Sequence, residues 1–146
     1  MPTFRTASEE ETIALGERLA RGLPPRAVVL LIGNLGAGKT TLAKGIVKGL
    51  GAAEPDEVAS PTFTLIHEYP FADLAATGRQ KVYHIDLYRL DKANEAARLG
   101  LDELFEKDAV VLIEWAEKFL ELMPAERIEI RIAAGDGNQR EITITT

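Results

Sequence analysis

Eight consecutive residues, Gly33-Asn34-Leu35-Gly36-Ala37-Gly38-Lys39-Thr40, followed by Thr41, satisfy the pattern G-x-x-x-x-G-K-[ST] at every fixed position. Each fixed residue type has a chemical reason. Glycines let the backbone wrap closely around an anion and turn amide hydrogens toward it at a helix N-terminus. A lysine directly after the last glycine reaches β- and γ-phosphates, and the next hydroxyl is placed to bind Mg²⁺. The implied chemistry is a grip on a nucleoside triphosphate, with Lys39 as the catalytic cation and Thr40 as a metal ligand. The plainer alternative is a glycine-rich turn before a helix, with a merely solvated lysine. Against it, a buried strand pattern precedes the loop and a helical pattern follows.

Such a loop needs a carboxylate near its metal, normally where a buried strand ends. Two residues compete. Glu114 closes the apolar run "VVLIE", and Asp86 closes the less uniform "VYHID". A charged residue at such a position needs a partner, so either suits metal binding or the orientation of an attacking water. Either could instead be an ordinary strand-end carboxylate, paired with Arg89 or capped by a loop amide. No N-K-x-D segment is present, which favours adenine over guanine. No arginine-rich lid of the kind that metabolite kinases close over phosphates stands out. Arg89 could stabilise transition-state charge, but a lone arginine on a strand reads first as a surface ion-pair partner.

The elements that must hold these groups follow from periodicity. "RAVVLLIG" reads as a strand buried on both faces, and a helix is expected from Lys39 to Leu50, ending at Gly51, with Leu42, Ile46, Val47 and Leu50 inward. Ser8 to Gly22 reads as an earlier helix with a Ser8/Glu11 capping box and a Leu15, Leu19, Leu23 stripe. "TFTLIHEYP" and "KVYHIDLYRL" read as two strands joined by "FADLAATGRQ", too short for a crossover helix, hence antiparallel. "LGLDELFE" is a short helix before the buried strand "AVVLIEW". In "RIEIRIAAGDGNQREITIT" isoleucine alternates on both sides of "AGDGN", the mark of a hairpin with one buried face. The expected class is α/β: a P-loop NTPase fold with a mixed sheet, parallel at its core, with antiparallel hairpins and flanking helices.

Bulk properties bound the rest. With 146 residues, 46% of them hydrophobic and 27% charged, residues 1–146 are read as a single globular domain. A net charge of −6 disfavours a broad basic surface for nucleic acid. There is no cysteine, which removes disulfides, thiolate metal sites and a cysteine nucleophile. The acidic N-terminus "MPTFRTASEEETIALGERL" does not read as a signal peptide, and no run has the length of a membrane span. A cytoplasmic enzyme or enzyme component is the expectation.

Four segments together, "GNLGAGKTTLAKG", "SPTFTLIHEY", "VYHIDLYRL" and "LGLDELF…VVLIEWAEKF", closely resemble the bacterial TsaE family, formerly YjeE. The likeness runs from the N-terminal helix to the final hairpin, and "SPTF", "HIDLYRL" and "IEW" make it far more specific than the phosphate loop alone. That resemblance implies an ATPase that serves two partner proteins, TsaB and TsaD, in the threonylcarbamoylation of adenosine 37 of tRNA. The tRNA is met only through the complex, and no small-molecule acceptor is expected. Residues 36–41 would hold ATP, with Thr40 and Glu114 as Mg²⁺ ligands. Asp86 would lie close to the γ-phosphate and Trp115 beside the site, and Thr62 of Ser60-Pro61-Thr62 would sense the γ-phosphate or metal. The segment around Ser8 and the Arg140 region would lie near base or ribose.

Other residues have plainer readings. His67 and His84 lie on strand patterns without metal-pair spacing and read as structural. Gly45 and Gly49, costly inside a helix, read as a close approach to a neighbouring element. Phe63, Tyr69 and Tyr88 would be candidates for partner contact if exposed. Two other functions compete with the accessory ATPase: a P-loop small-molecule kinase, and a nucleotide switch with no significant hydrolysis.

Overall fold

The computed structural model describes residues 2–61, 64–71 and 81–146. In chain order the elements are β1 (Thr3–Thr6), α1 (Glu9–Arg21), β2 (Ala27–Ile32), α2 (Lys39–Gly49), β3 (Ile66–Pro70) and β4 (Lys81–Asp86). They continue with α3 (Ala93–Ala97), α4 (Leu101–Phe105), β5 (Val110–Glu114), β6 (Ile128–Ala134) and β7 (Arg140–Thr145). Short 3₁₀ segments occupy Pro55–Glu57 and Ala116–Leu122. The seven strands among the described residues form one sheet in the order β1-β7-β6-β2-β5-β4-β3. Its centre, β6-β2-β5-β4, is parallel, and the outer pairings are antiparallel.

The sheet is covered on both faces. All six residues of β2 are buried, as a central strand between two apolar layers requires. Val29 and Leu31 join Leu15, Leu42, Ile46 and Val47 in the layer under α1 and α2. Val28, Leu30 and Ile32 join Tyr83, Ile85, Leu101, Phe119 and Met123 in the opposite layer. The hairpin behaves as its alternation predicts, with Ile130, Ile132 and Ile142 buried on one face.

The helix ends are set locally. Ser8 Oγ accepts the Glu11 backbone N–H at 3.1 Å, while Glu11 Oε1 accepts the Ala7 N–H at 3.0 Å. The glutamate thus reaches back one residue further than the capping pattern alone would have it. Helices α1 and α2 approach so closely that backbone meets backbone at Gly16, Gly45 and Gly49, the close approach expected for the last two.

Several bounds differ from expectation. In "TFTLIHEYP" the strand begins only at Ile66, after a turn at Leu65 with φ of 69°; Thr62 and Phe63 lie outside the described residues, as do residues 72–80. In "KVYHIDLYRL" the strand stops at Asp86, because its own carboxylate accepts the Tyr88 N–H and turns the chain. Strand β1, helix α3 and both 3₁₀ segments have too few periodic residues to be read from the sequence. Among the described residues no helix is long and apolar enough to cross a membrane.

Candidate nucleotide-binding site

Strands β2, β5 and β4 end together. Leu31 pairs with Glu114, and Glu114 with Asp86, so the parallel strands finish in one row. The phosphate-loop pattern leaves β2 at that row and enters α2, with Gly38 as the helix N-cap. Gly38 has φ of 108°, a conformation that side chains rarely adopt. A Cβ there would also come within 3.4 Å of Arg140 Nε, from the hairpin across the loop.

The result is a cleft of about 350 Å³ between the loop, the N-terminus of α1 and the β6–β7 hairpin. Leu35, Gly36, Gly38, Lys39, Thr40 and Thr41 line it together with Asp86, Glu114 and Trp115, all candidates from sequence. Ser8, Glu9, Thr12, Asn138 and Arg140 close its far side, where the resemblance put base or ribose. Gly33, Asn34 and Ala37 face elsewhere. They border a groove against β6, the Ala37 side chain enters the core, and the Ala37 N–H turns back to the Asn34 carbonyl at 3.0 Å. Arg89 is exposed and does not line the cleft. Thr62 lies outside the described residues.

Inside the cleft the charged groups hold one another. Lys39 Nζ donates to the Gly33 carbonyl at 2.7 Å and sits 3.3 Å from the centre of the Trp115 ring. This contact between a cation and an aromatic face forms because Trp115 turns the chain sharply, with φ of 65°, directly after β5. Burial pushes the Lys39 pKa down, and the carboxylates of Glu117, Glu114 and Asp86 push back. Thr40 Oγ1 lies 3.1 and 3.0 Å from the two oxygens of Glu114. Asp86 accepts Ser60 Oγ at 2.7 Å on one oxygen and the Tyr88 N–H at 2.9 Å on the other. Tyr88, half-exposed, packs against Trp115 with ring centres 5.0 Å apart.

These donors suit a hard divalent cation. A hydroxyl and a carboxylate at one point, open to phosphate oxygens, form the small oxygen set by which Mg²⁺ is usually held beside a nucleotide. Three carboxylates around one ammonium also call for added positive charge before a polyphosphate can enter. Two contributors escaped the sequence reading. Glu117, two residues beyond Trp115, has an Oε1 that is buried without a hydrogen-bond partner among the described residues. His84 Nε2 lies 2.6 Å from Glu114 Oε2, which its reading as a structural strand residue does not convey. The available signal was period two: His84 stands two residues before Asp86, so both share one face of β4.

A family profile described as "Threonylcarbamoyl adenosine biosynthesis protein TsaE" matches residues 6–142. The chain belongs to the TsaE family. Two family members named "tRNA threonylcarbamoyladenosine biosynthesis protein TsaE" are similar over nearly all of it. The one from Bacillus subtilis is 43% identical over 142 residues, covering 97% of this chain and 84% of the relative. The one from Nostoc sp. is 41% identical over 143 residues, covering 95% and 82%. The crystal structure of Bacillus subtilis YdiB superposes with a TM-score of 0.77 at 38% identity, over 99% of this chain and 84% of that one. The sheet with its parallel core and phosphate loop is thus a P-loop NTPase fold, and the fold implies nucleotide binding.

Proposed function

We propose that this chain, acting as one domain in the cytoplasm, binds and hydrolyses Mg²⁺–ATP as the accessory subunit of tRNA threonylcarbamoyladenosine formation. It serves TsaB and TsaD, and meets tRNA only through that complex. The observation that carries the reading is the meeting of Lys39, Thr40, Glu114 and Asp86 at one row of strand ends, in a chain of the TsaE family.

Lys39 leaves the Gly33 carbonyl and the Trp115 ring to neutralise the β- and γ-phosphates, while loop amides hold the β-phosphate. Thr40 and Glu114 would hold the metal, which would supply positive charge against the charge developing on the phosphate oxygens. Asp86 or Glu114 orients the attacking water. In the resting arrangement both Asp86 oxygens are engaged, one of them by Ser60, so hydrolysis is slow until that bond is rearranged. Partner binding shifts the chain toward the rearranged state, which requires the partners to bind that state more tightly. The Ser60–Asp86 bond is the physical link between the Ser60 segment and the site.

With γ-labelled ATP, the expected products are ADP and free labelled phosphate in equal amounts, lost in Lys39→Ala. Label appearing on a metabolite or nucleoside would instead mark a small-molecule kinase. Absence of turnover in any complex, with partner regulation still dependent on Lys39, would mark a non-hydrolysing switch.

A further inference from the structure

His84 is completely buried, yet it is not built like a residue kept for packing. Its Nε2 lies 2.6 Å from Glu114 Oε2, a short contact of the charge-assisted kind. Its Nδ1 is buried and has no hydrogen-bond partner among the described residues. A leucine or phenylalanine would occupy the same space in the layer under α1 and α2 without stranding a polar atom, and a stranded atom is unfavourable. Burial of a histidine with one idle nitrogen calls for another explanation.

The hydrogen-bond network assigns the tautomer. The proton belongs on Nε2, donated to the carboxylate, because a proton on Nδ1 would be an N–H with nothing to receive it. Glu114 then accepts from two side. His84 approaches Oε2 at 2.6 Å from within the sheet, and Thr40 lies 3.0 Å from Oε2 and 3.1 Å from Oε1 at the start of α2. With two fixed donors, a carboxylate loses its freedom to rotate about its last bonds. Oε1 is left with the fewer donors.

We infer that His84 is the positioning residue for Glu114: it fixes the rotamer of the carboxylate, so that the oxygen it leaves uncovered is preorganised for the divalent cation. His84 does not touch nucleotide or metal. It acts through Glu114, as outer-shell partners of metal ligands do, where losses of about 10- to 100-fold in metal affinity are typical. This assignment rests on the reading of Thr40 and Glu114 as the cation's ligands.

The test is calorimetric titration of ADP across a series of free Mg²⁺ concentrations, including EDTA, so that turnover plays no part. His84→Leu is expected to raise the Mg²⁺ needed for half-maximal tightening about tenfold or more, with affinity in EDTA unchanged. His84→Gln, whose amide nitrogen can replace Nε2–H, is expected to restore most of it. A folded His84→Leu with the wild-type Mg²⁺ requirement overturns the inference. The wild-type chain provides a second reading that needs no variant. With two histidines in the sequence, ¹⁵N spectra resolve the His84 tautomer, expected as Nε2–H. An Nε2 resonance that moves with Mg²⁺–ADP but not with ADP in EDTA supports the inference; an Nδ1–H tautomer overturns it. If wild-type ADP affinity is independent of Mg²⁺, the proposed nucleotide chemistry itself fails, and this inference with it.

Discussion

Gly16→Ala sets two effects of opposite sign against each other. Gly16 lies inside α1, where alanine is the better helix former by about 1 kcal/mol. A Cβ at this position would meet the Leu42 carbonyl oxygen at 2.7 Å, the Ile46 nitrogen at 2.8 Å and the Gly45 Cα at 2.9 Å. All three are backbone atoms of α2, so no side chain can rotate away. Bringing the shortest of these to the 3.4 Å of ordinary contact requires the helices to part by roughly 0.7 Å. Overpacking of this kind is unfavourable by about 1–3 kcal/mol, and three rigid contacts put Gly16 at the upper end. The net loss is about 1–2 kcal/mol, or ~3–8 °C in Tm for a chain of this size. Because α1 carries Ser8, Glu9 and Thr12 to the cleft, ADP affinity should weaken as well. Thermal unfolding by circular dichroism, with ADP calorimetry on the same samples, measures both. A Tm equal to or above that of the parent would show that propensity wins and that the α1–α2 contact is not the constraint described.

Thr40→Val removes the hydroxyl that contacts both Glu114 oxygens, so Mg²⁺ should no longer tighten ADP binding in calorimetry, while affinity in EDTA stays within about threefold. Ser60→Ala removes the 2.7 Å bond to Asp86; since hydrogen bonds to charged groups contribute about 1.5–3 kcal/mol, phosphate release without partners should rise about tenfold or more, and the stimulation by partners should shrink accordingly. Hydrogen bonds from Arg127 and Arg131 and their charges hold the Glu129 carboxyl below its ordinary pKa, against the effect of burial. A lowered folded-state pKa contributes stability that is present above the unfolded value of ~4.3 and lost as pH falls through the folded value. Chemical denaturation from pH 6 to pH 3 should therefore show a smaller acid loss in Glu129→Gln than in the parent.

What the sequence disclosed followed physical locality. Strand β2 and helix α2 were legible because apolar period and loop chemistry agree over Ala27–Gly49, and the hairpin because isoleucine alternates on both sides of its turn. Lys39, Thr40, Asp86, Glu114 and Trp115 could be named because each follows a recognisable strand or motif end. Contacts that depend on register were not legible. His84 becomes a partner of Glu114 only because β4 and β5 are adjacent and aligned. Arg140 reaches the loop only because β7 lies beside β6, which lies beside β2. Strand β1 forms from four residues with no apolar period, through its pairing with β7. At Asp86 the sequence left two alternatives, a pair with Arg89 or a cap by a loop amide, and the structure shows its carboxylate accepting the Tyr88 N–H.

The most direct measurement of the central claim is phosphate release from Mg²⁺–ATP by the purified chain, alone and with the TsaB–TsaD complex, with and without tRNA. The account predicts slow release alone, and an increase of at least about tenfold with the complex, equivalent to ~1.4 kcal/mol in the barrier. The increase should disappear in Lys39→Ala. Equal turnover with and without the partners would contradict it.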